Sequence, residues 1–107
     1  AQQKGDWINV QAQGGNQVAY DRGSIQRQGQ IVTVRTRIIL AQAAADGSAQ
    51  YFTQYRYDCR ANTYALLHIT VLRTDGSVSL DSPANDEPPE AIAAGSPNAY
   101  ITQALCR

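Results

Sequence analysis

The stretch Thr63-Tyr64-Ala65-Leu66-Leu67-His68-Ile69-Thr70-Val71-Leu72-Arg73-Thr74-Asp75-Gly76-Ser77-Val78-Ser79-Leu80-Asp81 decides the fold of this sequence. A long run of β-branched, aromatic and aliphatic residues reaches Asp75-Gly76, the dipeptide that a two-residue hairpin turn favours, and an alternating run follows it. The pattern predicts two antiparallel strands, Thr63 to Thr74 and Val78 to Asp81, with Leu80 opposite Val71. Toward the N-terminus, Arg60-Ala61-Asn62 joins this hairpin to a strand from Tyr51 to Cys59. The Ala-rich segment Ala41 to Ala49, turning at Asp46-Gly47, joins that strand to Ile31 to Leu40. Trp7 to Gln13 and Gln17 to Asp21 flank Gly14-Gly15-Asn16 as a further hairpin, and Ser24-Ile25-Gln26 reads as one helical turn capped by the Ser24 hydroxyl. Six strands without internal repeats form an antiparallel meander.

Beyond Asp81 the pattern changes. Residues 82–95 hold Pro83, Pro88 and Pro89 with three carboxylates and read as a surface loop. Ser96-Pro97 then opens a helix, Ser as N-cap and Pro at the first helical position, running to about Cys106 with an apolar stripe of Pro97, Ile101, Ala104 and Leu105. The expected architecture is α+β: one domain over residues 1–107, an antiparallel sheet with a C-terminal helix packed on it.

Register then sorts the side chains. With Leu40 opposite Tyr51 and Cys59 opposite Thr63, one face collects Val32, Val34, Thr36, Ile38, Thr53, Tyr55, Tyr57, Cys59, Ala65, Leu67, Ile69, Val71 and Leu80. This is the expected core face, with Val34, Tyr55, Leu67, Ile69 and Leu105 meeting between sheet and helix. The opposite face collects Arg35, Arg37, Phe52, Gln54, Arg56, Asp58, Tyr64, Leu66, His68 and Leu72. Aromatic, leucine and arginine side chains on a flat sheet are what protein interfaces enrich. Arg35, Arg37, Phe52, Arg56, Tyr64 and Leu66 are therefore the candidate protein-binding residues.

Composition excludes several functions. Nine basic residues against nine acidic ones give a net charge of zero, so no global field draws nucleic acid or an anionic membrane. No apolar run approaches the ~18 residues of a spanning helix. Cys59 and Cys106 lack the short spacing of a zinc site, and they read as one disulfide in an oxidising compartment rather than as reduced buried thiols. The opening Ala1-Gln2-Gln3 has the look of a mature chain whose leader has been removed. His68 stands without a recognisable nucleophile or orienting acid, and Ser24, Ser77 and Ser96 sit at turns and caps. No catalytic residue, metal ligand or cofactor is expected. Asp81, Asp86, Glu87 and Glu90 lack the spacing of a calcium loop and read as a solvated acidic segment.

Trp7-Ile8-Asn9-Val10, Tyr20-Asp21-Arg22-Gly23-Ser24-Ile25, Val32-Thr33-Val34, Tyr57-Asp58-Cys59, Thr63-Tyr64-Ala65-Leu66-Leu67, the Asp75-Gly76 turn, Ala94-Gly95-Ser96 and Ala104-Leu105-Cys106 follow one another in an order that resembles the surface-adhesin protein E family of Gram-negative bacteria. One departure is Arg35, at a point in the third strand where members often carry a large residue such as Trp. The resemblance implies a secreted, periplasmic or outer-membrane surface domain with a disulfide, binding a host extracellular or bacterial envelope protein, without enzymatic activity. A homodimer is the other use of the same face. The competing function is a periplasmic inhibitor of an enzyme such as lysozyme, docking a basic target through Asp86, Glu87 and Glu90.

Overall fold

A computed structural model describes residues 5–10, 15–83 and 88–106 of the chain. Its strands are β1 (Trp7–Val10), β2 (Gln17–Asp21), β3 (Gln26–Gln28), β4 (Ile31–Ile39), β5 (Ser48–Asp58), β6 (Thr63–Arg73), β7 (Val78–Pro83) and β8 (Glu90–Ala91), and one helix, α1 (Pro97–Leu105), follows them. All pairings are antiparallel, in the order β1-β2-β4-β5-β6-β7, with β3 beside β4 and β8 beside β6. The sheet does not close, and the fold is the expected α+β.

The six long strands match the six expected ones, although the proposed ends of the first at Gln11 to Gln13 and its turn at Gly14 lie outside the described residues. Two short strands were not foreseen. The β3 strand is three exposed polar residues and β8 only two, too little for any period to show. The helical turn is also displaced from its expected position. It is a 3-10 turn at Arg22–Ser24, and its N-cap is Asp21, whose carboxylate accepts from the Gly23 amide. The Ser24 hydroxyl instead donates to the Asp21 carbonyl and accepts from the Arg35 amide, tying the turn to β4.

Register departs from expectation in two ways with different consequences. Ile38, not Leu40, stands opposite Tyr51, a shift of two residues that leaves every β4 and β5 side chain on its expected face. Between β5 and β6 the strands begin with Asp58 opposite Thr63, one residue from the expected pairing, and an irregularity between Tyr55↔Leu66 and Gln54↔His68 skips Leu67. This bulge absorbs the odd residue, so β6 beyond His68 has its expected orientation while Tyr64 and Leu66 join the face of Tyr55 and Tyr57. Val71 does pair with Leu80, and Gly76 supplies the positive φ of +86° that the hairpin turn requires.

The core lies between α1 and the face carrying Val18, Val32, Val34 and Tyr57, which Ile101, Leu105, Ala99 and Ile92 cover. Tyr55 and Tyr64 pack at its margin, their rings edge to face with centroids 5.5 Å apart. Leu67 and Ile69, expected in this core, are only half-buried and lie outside the cluster, and Leu80 is 47% exposed. The cluster that the nine-residue helix covers draws on β1, β2, β4, β5 and Tyr64 of β6, and no β7 residue is in it. The buried stripe of α1 is Ala99, Ile101, Thr102 and Leu105, and the expected Pro97 is exposed. Ser96 caps the helix as expected, its hydroxyl accepting from the Ala99 amide at 3.2 Å. Tyr57 pins the helix start by donating its phenol to Asn98 Oδ1 at 2.7 Å. Burial, aided by the neighbouring Tyr55 and Tyr64, pushes that phenol well above its ordinary pKa. The helix ends at the Cys59–Cys106 disulfide, which joins it to the end of β5.

Candidate functional site

With α1 on one side, the other side of the sheet carries no α-helix among the described residues. Its centre is built by the Tyr20-Asp21-Arg22-Gly23-Ser24 segment. Asp21 is 3% exposed, and its carboxylate accepts from the amides of Asp6 (2.9 Å) and Gly23 (3.0 Å) and from the Arg35 guanidinium through Nε (3.1 Å) and a second nitrogen. Burial raises the Asp21 pKa, but the Arg35 hydrogen bonds and charge and the two amides outweigh it and hold the carboxyl below its ordinary value. Arg22 closes the outside of the knot on Asp6 at 2.6 Å. Gly5 passes so close that a Cβ there would stand 2.8 Å from Asp21 Oδ2, which is why a side chain is not accommodated.

Arg35 is thereby fixed, and Trp7 rests against it. The β1–β2 pairing sets Trp7 opposite Asp21, and two guanidinium groups contact the indole, Arg35 at 5.6 Å and Arg37 at 4.8 Å from the ring centroid. Phe52, opposite Arg37 in the β4–β5 ladder, meets the indole with centroids 5.9 Å apart. Arg37 Nε is buried without a hydrogen-bond partner among the described residues. Arg56 lies further along β5, opposite Thr33 and exposed. Among the described residues neither Arg37 nor Arg56 forms an ion pair.

Beside Trp7 and Phe52 lies a cleft of about 220 Å³ lined by Trp7, Arg35, Phe52, Thr53, Gln54, His68 and Thr70. His68 Nε2 is 2.5 Å from Asp81 Oδ1, which also accepts from the Thr70 hydroxyl at 3.1 Å. The His68 hydrogen bond, followed by that of Thr70, lowers the Asp81 pKa.

Of the six residues proposed for this face, Arg35, Arg37, Phe52 and Arg56 lie on it together. Tyr64 and Leu66 do not, because the bulge at Leu67 sends them to the helix side, where Tyr64 contacts Tyr55 and donates to Glu90 Oε2 at 2.8 Å. Glu90 itself is in β8 rather than in a free loop, and Asp86 and Glu87 lie outside the described residues. Sequence reasoning missed Trp7, Asp21 and Asp81 as members of the site. The pairing of Val71 with Leu80 already implied Asp81 beside Thr70, so that signal was present. Trp7 and Asp21 carried none, because two turns of unknown geometry separate them from β4. Among the described residues no group of three or more His, Cys, Asp or Glu side chains is placed to hold a metal ion.

The family model described as "Surface-adhesin protein E" matches residues 7–107. The chain belongs to the surface-adhesin protein E family. No curated protein and no solved structure gives a significant match. The matched range begins at Trp7 and takes in Asp21, Arg35, the bulge and both cysteines, while Gly5 and Asp6 of the Asp21 knot precede it. Membership in a family of surface adhesins accords with a non-enzymatic role at the cell exterior, and no described helix is long and apolar enough to cross a membrane.

Proposed function

We propose that this adhesin-family chain is a secreted or surface-exposed domain that binds a host extracellular or bacterial envelope protein through the open sheet face. The observation that carries the reading is the group of Trp7, Arg37 and Phe52, flanked by Arg56, on the side of the sheet away from α1. Tryptophan and arginine dominate the energetics of protein interfaces, and a guanidinium already stacked on an aromatic ring loses little freedom when it meets a partner carboxylate. Arg37 and Arg56 have no ion-pair partner among the described residues, so an acidic partner surface has two guanidinium groups to engage. Two copies of the chain would set those like charges near one another, which favours a different partner over a homodimer.

The test is a Phe52→Ser, Arg56→Glu double variant with the melting temperature of the parent. Capture of host matrix proteins or envelope extract by the immobilised domain is expected to fall at least tenfold. Capture and self-association identical to the parent would show that this face is only solvated.

A further inference from the structure

The cleft beside Trp7 has a chemistry distinct from that of the arginines around it. The polar groups bordering it are already engaged: the Arg35 guanidinium is bonded to Asp21, and the His68 imidazole is hydrogen-bonded to Asp81. An incoming carboxylate would have to compete with Asp21 for the guanidinium, and an incoming cation would meet Arg35. A neutral ligand avoids both costs. Its hydroxyl groups can use the N–H groups and lone pairs that the guanidinium and imidazole still present at their edges, together with the amide of Gln54 and the hydroxyl of Thr70. The remaining wall is the rings of Trp7 and Phe52, an apolar surface for C–H groups. At about 220 Å³ the cleft is smaller than the ~300 to 1,000 Å³ of drug-sized pockets, which limits it to a single ring-sized unit.

We infer that this cleft binds one neutral sugar ring, a terminal or internal pyranose of a glycan carried by the partner. The inference rests on the open face being the binding face and names what one part of it recognises. A pyranose combines the required features: one ring, equatorial hydroxyls that donate and accept in pairs, and an apolar C–H face. Gln54 and His68 bond the hydroxyls, and Trp7 and Phe52 pack the ring.

Trp7 is the single tryptophan of the chain, so its emission reports entry into the cleft. The experiment titrates the intact domain with neutral methyl glycosides of the gluco, galacto, manno and N-acetylglucosamine series, and in parallel with acetate and methylguanidinium. At least one glycoside is expected to change the emission saturably, at a Kd in the millimolar range ordinary for a single ring, and Gln54→Ala to weaken it about tenfold or more. His68→Gln, which keeps a hydrogen-bonding side chain, serves as a second variant and is expected to weaken it less. Gln26→Ala on the far β3 edge is expected to leave the titration unchanged. No saturable response to any glycoside up to roughly 100 mM, where even a weak site fills, overturns the inference, as does tighter binding of acetate or methylguanidinium. Should the sugars fail while the Phe52→Ser, Arg56→Glu variant still loses its protein partner, the sugar inference falls and the binding face stands.

Discussion

Asp21 is the residue on which the site depends. It is buried, ionised and bonded to Arg35, whose side chain is 36% exposed. Replacing the carboxylate by the neutral amide in Asp21→Asn is expected to cost about 2 kcal/mol, below the ~3 to 5 of a wholly buried pair because water reaches the guanidinium. The folded-state pKa of Asp21 is depressed, so its contribution is fully present above the unfolded value near 3.8 and is lost as pH falls through the lower folded value. Melting curves from pH 7 downward should therefore steepen below about pH 4 in the parent, while Asp21→Asn starts lower and lacks that part of the slope. Parallel acid limbs for both proteins would remove Asp21 as the acid-sensitive group. The sequence shows an Asp in a Tyr-Asp-Arg-Gly-Ser run but cannot show this role, because Arg35 is fourteen residues away and reaches Asp21 only through the β2–β4 neighbourhood.

At the scale of elements, the extra residue in β6 decides which side chains face a partner. Leu67 has no pairing mate on β5, and the strand on either side of it is in alternate phase. Deleting Leu67 would make β6 regular. Leu66 would still stand opposite Tyr55 and His68 opposite Gln54, so both faces would keep their side chains, whereas a regular strand that retained Leu67 would invert one half of β6. The deletion is expected to cost about 1 to 2 kcal/mol in urea unfolding, less than truncating a wholly buried leucine because Leu67 is half-buried, and to leave partner capture unchanged. A loss above about 4 kcal/mol, or lost capture at unchanged stability, would mean that the bulge itself is required for the fold or the face. Periodicity located β6 to within a residue at each end, yet a run of Ala65-Leu66-Leu67 offers apolar residues in both phases. The bulge therefore left no mark in the pattern.

For the molecule as a whole, the disulfide links the end of β5 to the end of the chain's helix across a separation of 47 residues. Constraining a loop of this length in the unfolded state is worth about 4 kcal/mol in the chain-entropy model. A Cys59→Ala, Cys106→Ala variant is expected to lose roughly 2 to 5 kcal/mol of stability, with α1 loosening before the sheet, which hydrogen exchange in Ala99–Leu105 would register first. Exchange that accelerates uniformly through sheet and helix would show that α1 is held by Ile101, Leu105 and Tyr57 alone.

Local pattern suffices for the set of long strands, the Asp75-Gly76 hairpin, the Ser96-capped helix, the pairing of two cysteines and the grouping of Arg35, Arg37, Phe52 and Arg56. These are consequences of local chemistry: a period of two, turn residues with fixed preferences, a cap, and a side-chain parity that an even register error preserves. Only the folded chain brings Trp7 against Arg35 and Arg37, buries Asp21 on Arg35, and turns Tyr64 and Leu66 toward the helix. Each of those depends on an odd-residue event or on strands brought together from distant parts of the chain. A local pattern carries no information about either, because a single inserted residue inverts every side chain beyond it without altering the composition of the strand.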